Sequence, residues 1–477
     1  MQRSLVKEEL SGEVHGSARP IASALGDYVT RDNSFPAAVL DHARLAVLDT
    51  IGCIIGATRT VPGRRILMYT DLHGATGPTT TVGLATGRRA EDSALANGTL
   101  AHMLEFDDGH RPSDNHLGCV VVPAAFAMAE ETGANLGQLL DSVVVGYDVM
   151  GRAGEATLLP RNRSAFHGTG TTGVFGAAAV AARMLGLDAA QTAHALGIAG
   201  TAAAGLRESS RTGPDCKPLH AGRAAQNGIA AATLASLGYE GPLTIFEGER
   251  GFCRAMCAEP RPALLLDALG ERFSVREAGF KVHSTCGVLF NVIDAVLELR
   301  GRNDFDVRPP ETITVGVPSW IAEEASFLRR RPSSPGEARF SIPFSVAAAI
   351  ADGEVSPLQM QPEKLTDPKI AELEVRVQWE VDDEVDQIYL ARKDESFFFY
   401  PASVTFERDG TAERVLSTNP RGYDPAIPLS QEEVATKFYS TVRGIVSDAD
   451  ASRVADFVLT ASPDASLSST MKVLTLS

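Results

Sequence analysis

The chain has 477 residues, 44% hydrophobic and 22% charged, with a formal net charge of −16 and a pI near 5.2. These are globular proportions in a chain longer than a usual single domain, so they exclude a disordered or fibrous protein and predict two domains. The acidic balance argues against nucleic acid and anionic membranes as partners, while a local basic pocket for an acidic small molecule remains compatible with it.

Residues 1–35 mix Gly, Ser, Pro and charges around one weak helical stretch, and are expected to form a flexible N-terminal arm. They contain no apolar signal core, and no apolar run reaches membrane-spanning length, so a cytoplasmic location is the expectation. A long helical region follows. The three-and-four spacing of apolar residues predicts helices over 41–57, 93–106, 120–133, 136–156, 171–186, 187–206 and 221–238. Pro123 falls in the first turn of its predicted helix, where proline is tolerated. These segments are rich in Ala and Gly and poor in bulky side chains on more than one face, the composition of closely packed helices inside a bundle. Glycines at 186 and 238 mark short turns between antiparallel neighbours.

The pattern changes near residue 270. A helix over 288–300 precedes the strand-like ETITVGVP. KIAELEVRVQWEVDDE, 368–383, alternates like a second strand, and 395–410 reads as a third with a turn at its end. FSIPFSVAAAIADGEV, 340–355, is helical between them. Residues 430–461 return to helix, with Ser430 and Glu433 as a capping box. The expected architecture is mainly α: an all-helical domain over 36–270, an α/β lid domain over 271–410, and a segment over 411–477 that rejoins the helical domain.

The densest polar stretch is EFDDGHRPSDNHLG, 105–118, lying between two apolar helices. Its carboxylates and imidazoles are the elements of general acid–base catalysis, in which a carboxylate orients one ring nitrogen and the other moves a proton near neutral pH. Glu105, Asp108, His110, Ser113 and His116 are the candidates here; the alternative is a solvated loop with helix caps. A mixed metal site on His110 and His116 matches no tight ligand signature, and no metal is expected. His167 opens the Gly-rich stretch GTGTTGVFG, where helix N-terminal amides bias an imidazole toward its neutral form. That stretch lacks the preceding strand of a nucleotide site, leaving an anion at the helix start or simple close packing. Lys217, held extended by Pro218, precedes a helix that carries His220 and Arg223. His283 and Cys286 lie at the domain change. The six cysteines are too sparse for a disulfide framework, and Cys253 and Cys257 read as two buried thiols.

HARLAVLDTIGCIIGA at 42–57, ALANGTLAHMLEFDDGH at 94–110, HLGCVVVPAA at 116–125, FHGTGTTGVFGAAAVAARMLGLD at 166–188 and KPLHAGRAAQNGIAAATLASLGYEGP at 217–242 together resemble the MmgE/PrpD family. AGFKV at 278–282 and FSIPFSVAAAI at 340–350 also fit. The resemblance implies a homodimer without an organic cofactor, whose site between two domains takes a di- or tricarboxylic acid. By that match His116 and His167 hold places of site histidines, Glu105 that of a site aspartate, and Lys217 that of the family lysine. The chain departs from the pattern at Glu105 (for Asp), Gly109 (for Thr), Gly287 (for Arg) and Phe290 (where a later His is absent), with His283 placed to compensate. Proton handling beside a carboxylate unites the family's activities. Dehydration of a 2-methylcitrate-like hydroxy-tricarboxylic acid is the first reading. Decarboxylation of a cis-aconitate-like acid or epimerisation of a dicarboxylic acid are the alternatives. A non-catalytic helical scaffold would instead leave Glu105, His116, His167 and Lys217 scattered.

Overall fold

The computed structural model describes residues 19–32, 34–158, 165–302, 309–392 and 400–467. Two hydrophobic cores organise them. The larger takes residues up to Phe280 and again from Leu429 onward; the smaller runs from Cys286 to Tyr423. Both ends of the described chain thus build one helical body around an inserted α/β unit.

The helical body contains Ala37–Ala57, Ala90–Met103, Gly118–Thr132, Leu136–Ala156, Gly168–Met184, Ala189–Gly200 and Leu219–Ser236, each overlapping a helix expected from apolar spacing. Small residues set how closely they cross. A Cβ on Gly222 would lie 2.2 Å from both the Leu95 carbonyl oxygen and Thr99 Oγ1, and one on Gly98 would lie 2.9 Å from Gly222 Cα. The Ala90–Met103 and Leu219–Ser236 helices therefore meet backbone to backbone, which brings the ends carrying His102 and His220 into one region. Gln431–Val442 and Asp448–Thr460 return to pack on Ala37–Ala57, the first of them opened by the Ser430/Glu433 capping box.

Four expectations differ in detail. Residues 1–18 of the expected arm lie outside the described residues, but Ile21–Thr30 is a helix that buries Ala22, Leu25, Tyr28 and Val29 against Ala189–Gly200. Pro123 sits inside Gly118–Thr132, because the helix begins earlier than its apolar run and hands its first amide to Asp108. The single strand over 368–383 divides. Asp367 caps the Lys369 amide and Pro368 starts a helix, Pro368–Glu374, that buries Ile370 and Leu373; only Val377–Val381 is extended. The lid does not end at the 410 turn. Asp409 and Gly410 both have positive φ and join Ala402–Arg408 to Thr411–Ser417 as a hairpin. Residues 395–399 of the third expected strand are outside the described residues.

The lid sheet has strand order Val377–Val381, Thr312–Val317, Ala402–Arg408, Thr411–Ser417. The first pair is parallel and the other two antiparallel. Phe290–Arg302 packs against the last two strands and against Ile342–Asp352. Among the described residues, no helix is long and apolar enough to cross a membrane.

Candidate active site

The polar segment begins where the Ala90–Met103 helix stops. Glu105 has φ +49°, a left-handed conformation that ends the helix and turns the chain inward. Glu105, Asp107 and Asp108 are consequently all buried. Lys217 donates to one carboxylate oxygen of Glu105. Lys281 Nζ donates to the other at 3.0 Å and to the Glu105 carbonyl at 3.2 Å. Burial alone would raise the Glu105 carboxyl, but Lys217 and then Lys281 outweigh it and hold the group well below the usual carboxylate range. A further lysine, Lys437 on the returning C-terminal helix, pairs with Asp49 at 2.5 Å and donates to the Phe106 carbonyl at 2.7 Å. The far end of the chain thereby props this turn.

Asp108 is a supporting group rather than a lining one. Its Oδ1 accepts from the Gly118 amide at 2.9 Å and its Oδ2 from the Tyr147 hydroxyl at 2.8 Å. Burial and the neighbouring Asp107 nonetheless push it up to about 7. Its carbonyl accepts from His116 Nδ1 at 2.6 Å, which fixes that ring and leaves Nε2 3.9 Å from Glu105 Oε1.

Four imidazoles are in contact here. His102 lies 4.8 Å from His116 and 5.4 Å from His167, centroid to centroid, and His167 lies 5.3 Å from His220. His102 Nδ1 meets Asp107 Oδ2 at 2.7 Å. Burial, with Lys281, pushes His116 well below its ordinary range; burial, with Lys217 and His102, does the same to His167. His220 falls to about 4, again chiefly through burial. His167 stands at the N-cap of Gly168–Met184, as its position before the Gly-rich stretch predicts. The glycines there serve packing: a Cβ on Gly168 would lie 2.0 Å from Asn115 Oδ1.

A cleft of two chambers opens over this cluster. The inner one is lined by His102, Glu105, Ser209, Asp215, Lys217 and Arg339, and the outer one by Ser113, His116, His167, Thr172 and Arg207 among others. Lys217 and Phe340 belong to both, so the chambers adjoin. Gly336, Arg339 and Phe340 come from the lid unit and the rest from the helical body, placing the cleft at the junction of the two cores, where small-molecule sites commonly lie. The Arg339 Nε is buried without a hydrogen-bond partner among the described residues.

Glu105, His116, His167, Lys217 and His220 are thus brought together, and Ser113 lines the outer chamber. His110 is not part of this group. Its ring meets Ser113 Oγ at 2.8 Å and Glu277 at 3.3 Å, behind the cleft. His283 pairs with Asp294 at 2.9 Å in the lid, and Arg223 is exposed beside Gln226. Neither lines the cleft. Sequence reasoning passed over His102, Lys281 and Arg339. His102 sits at a spacing of three before Glu105 at a helix end, and Arg339 stands just before Ser341, the cap of an apolar helix; both signals were available. Lys281 stands in AGFKV, one of the stretches that carry the family resemblance, beside the domain change.

Two groups of side chains have metal-ligating types within 4.8 Å of one another: His102, Asp107 and His116, and His110, Glu155 and Glu277. In the first, His102 and Asp107 are bonded to each other and His116 Nδ1 is engaged by Asp108. In the second, Arg272 pairs with Glu155 and lies 3.6 Å from Glu277, so a guanidinium already supplies the positive charge.

The model of the MmgE/PrpD N-terminal domain matches residues 24–265, and that of the MmgE/PrpD C-terminal domain matches residues 283–461. The chain belongs to the MmgE/PrpD family. It is an enzyme of a family acting on small carboxylic acids. It is similar to the cis-aconitate decarboxylase-like protein oryM of Aspergillus oryzae (strain ATCC 42149 / RIB 40), at 24% identity over 95% of this chain and 97% of that one. It is also similar to the cis-aconitate decarboxylases of Mus musculus (26%, covering 92% of this chain and 87% of that one) and Homo sapiens (27%, covering 86% and 84%). The names of these relatives match the alternative sequence-based reading, decarboxylation, better than the first one, dehydration.

Proposed function

We propose that this MmgE/PrpD enzyme decarboxylates a cis-aconitate-like unsaturated tricarboxylic acid in the cleft between its two units. The observation that carries the reading is the grouping of Lys217, Lys281 and Arg339 around Glu105. Lys217 and Arg339 line the inner chamber, where Glu105 and Asp215 also stand, and Lys281 pairs with Glu105, so a ligand carboxylate entering there meets two cationic side chains. In a site this buried, such charge acts strongly on the carboxylates of a ligand and on charge that develops along its carbon chain. The names of the relatives favour decarboxylation over dehydration.

The reaction balances without an added oxidant or reductant. The bond from the methylene carbon to its carboxylate breaks, and carbon dioxide leaves. That electron pair becomes a new carbon–carbon double bond to the central carbon. The pair of the original double bond takes up a proton at the far alkene carbon. Lys217 and Arg339 hold the carboxylates, and Lys281, behind Glu105, helps offset the charge that spreads through the allylic system. An imidazole of the cleft supplies the proton, and His116, whose ring is fixed by its bond to the Asp108 carbonyl, is the residue the sequence reading favours in the site.

A proton NMR time course with cis-aconitate, citrate, 2-methylcitrate and iminodisuccinate tests the reading. Conversion of cis-aconitate to a five-carbon product with release of carbon dioxide is the expected result. Formation of an alkene from 2-methylcitrate without carbon dioxide would instead restore the dehydratase reading.

A further inference from the structure

The proton donor need not be His116, and the geometry points elsewhere. A general acid must carry its proton before the substrate reacts. His116, His167 and His220 are each bonded through Nδ1 to a neutral partner: a carbonyl for His116, and each other for the remaining pair. Among these four rings His102 is the one whose Nδ1 is hydrogen-bonded to a carboxylate, Asp107 Oδ2 at 2.7 Å, with both side chains fully buried; His116 Nδ1 lies farther from the same oxygen, at 3.6 Å, and bonds to the Asp108 carbonyl instead. A carboxylate in that position fixes the tautomer and stabilises a second proton on the ring, which a carbonyl does far less well.

The other nitrogen of His102 is the second observation. Its Nε2 is buried and has no hydrogen-bond partner among the described residues. A buried polar atom left unpaired costs about 1–3 kcal/mol, so such an atom in a functional cleft calls for an occupant. His102 lines the inner chamber together with Glu105, Lys217 and Arg339, where a carboxylate-bearing ligand would lie. Its ring is braced on two sides by His116 and His167, which restricts where Nε2 can aim.

We infer that His102, oriented by Asp107, is the general acid that protonates the substrate carbon. The inference rests on the proposed proton-consuming reaction and makes His116 the neighbour that shapes the pocket rather than the donor. Among the described residues, the charged or titratable groups around the His102 ring are Asp107, Glu105, His116, His167 and His220, with Lys217 and Lys281 beyond Glu105 and Arg339 and Asp215 lining the same chamber. Asp107 is the one carboxylate bonded to it. The N–H bond at Nε2 breaks as the C–H bond forms, and the ring returns to its neutral form with Nδ1–H still on Asp107.

The test is steady-state kinetics on whichever acid of the panel above the wild type converts, so an error in the substrate is separated from an error about the donor. His102→Gln should lower kcat by about 10²- to 10⁴-fold with little change in KM. His102→Asn, whose amide can still donate to Asp107 from the Nδ1 position but offers nothing at Nε2, should be equally impaired. Asp107→Asn should move the alkaline limb of the kcat profile to lower pH, because it removes the carboxylate that holds the proton on the ring. Recovery of activity in His102→Asn would mean that His102 only supports the loop and would overturn the proposal. So would an alkaline limb that stays in place in Asp107→Asn, or a His102→Gln variant within about threefold of wild-type kcat while His116→Gln loses the reaction.

Discussion

Lys281 Nζ donates to Glu105 at both the side-chain oxygen, 3.0 Å away, and the main-chain carbonyl, 3.2 Å away. One buried ammonium therefore fixes the carboxylate and the left-handed turn that presents it. Breaking a buried pair from one side leaves the partner charged and unsolvated, at a cost of about 3–5 kcal/mol. Lys281→Met should lower unfolding free energy by that order, and Glu105→Gln by a comparable amount, since it deprives both Lys217 and Lys281. Because the two changes remove the same interaction, the double variant should lose well under the sum of the single losses. Urea denaturation of the three variants checks this; strict additivity would mean that the two groups do not act as a pair.

The fold was largely legible because its signals are local. Apolar spacing marks Leu136–Ala156 and Gly168–Met184, and Ser430 with Glu433 marks the returning helix, all without knowledge of what they pack against. The second region of the sheet was misread because Ile370 and Leu373 satisfy a strand alternation poorly but a helical face well, and Pro368 decides between them. The candidate site was half legible. Glu105 and His116 stand in one dense polar segment, and Lys217 and His167 each precede a helix. Lys281 and Arg339 come from stretches distant in sequence from the Glu105 segment, and only the meeting of the two units makes them neighbours. His110 and Arg223 illustrate the opposite error: a polar type near a motif, with a side chain that turns to Glu277 or to solvent.

The absence of a side chain at Gly109 is tied to Tyr423. A Cβ at position 109 would lie 2.3 Å from the Tyr423 hydroxyl oxygen and 2.8 Å from its Cε1. Tyr423 is buried, and Gly109 is held by pairing with Gly279. Gly109→Ala should therefore destabilise the protein by about 1–3 kcal/mol, the usual range for overpacking a core. Removing the hydroxyl with Tyr423→Phe should relieve that penalty only in part, because ring carbons remain close. A thermodynamic cycle of the two substitutions measures the coupling; a Gly109→Ala penalty unchanged by Tyr423→Phe would assign the clash to the backbone instead.

Asp108 should impose a distinctive pH dependence on stability. Burial and Asp107 raise it to about 7, far above an unfolded aspartate. Between about pH 4 and pH 7 the folded state holds a proton that the unfolded chain has released, so this group's contribution falls as pH rises through that window. Glu105 and Asp107 act in the opposite sense, since their folded pKa values are depressed and their contributions are lost on acidification. The comparison with Asp108→Asn isolates the first effect. The variant should gain stability relative to wild type as pH is raised from 4 to 7, whatever its absolute loss from the altered bonds to Gly118 and Tyr147. A difference between the two that stays flat across the window would place the Asp108 proton elsewhere.

Arg339 and Arg223 offer a contrast in binding. Arg339 lies in the inner chamber with its Nε unbonded among the described residues, and burial lowers its pKa even though Glu105 opposes that shift. Burying a guanidinium is unfavourable unless something negative meets it, and a ligand carboxylate would do so with a charge-assisted hydrogen bond worth about 1.5–3 kcal/mol. Arg339→Met, which keeps the length and packing of the side chain, should therefore raise KM for the tricarboxylic acid by about 10- to 100-fold. It should lower kcat much less, if the arginine holds the same carboxylate in ground and transition states. Arg223 is exposed and bonded to Gln226, away from the cleft, and Arg223→Ala should alter KM by no more than about twofold. Initial-rate kinetics on both variants decide the matter. A KM unchanged in Arg339→Met would remove the lid arginine from the binding site, and a large rise in Arg223→Ala would require the substrate to reach a surface that the present cleft does not include.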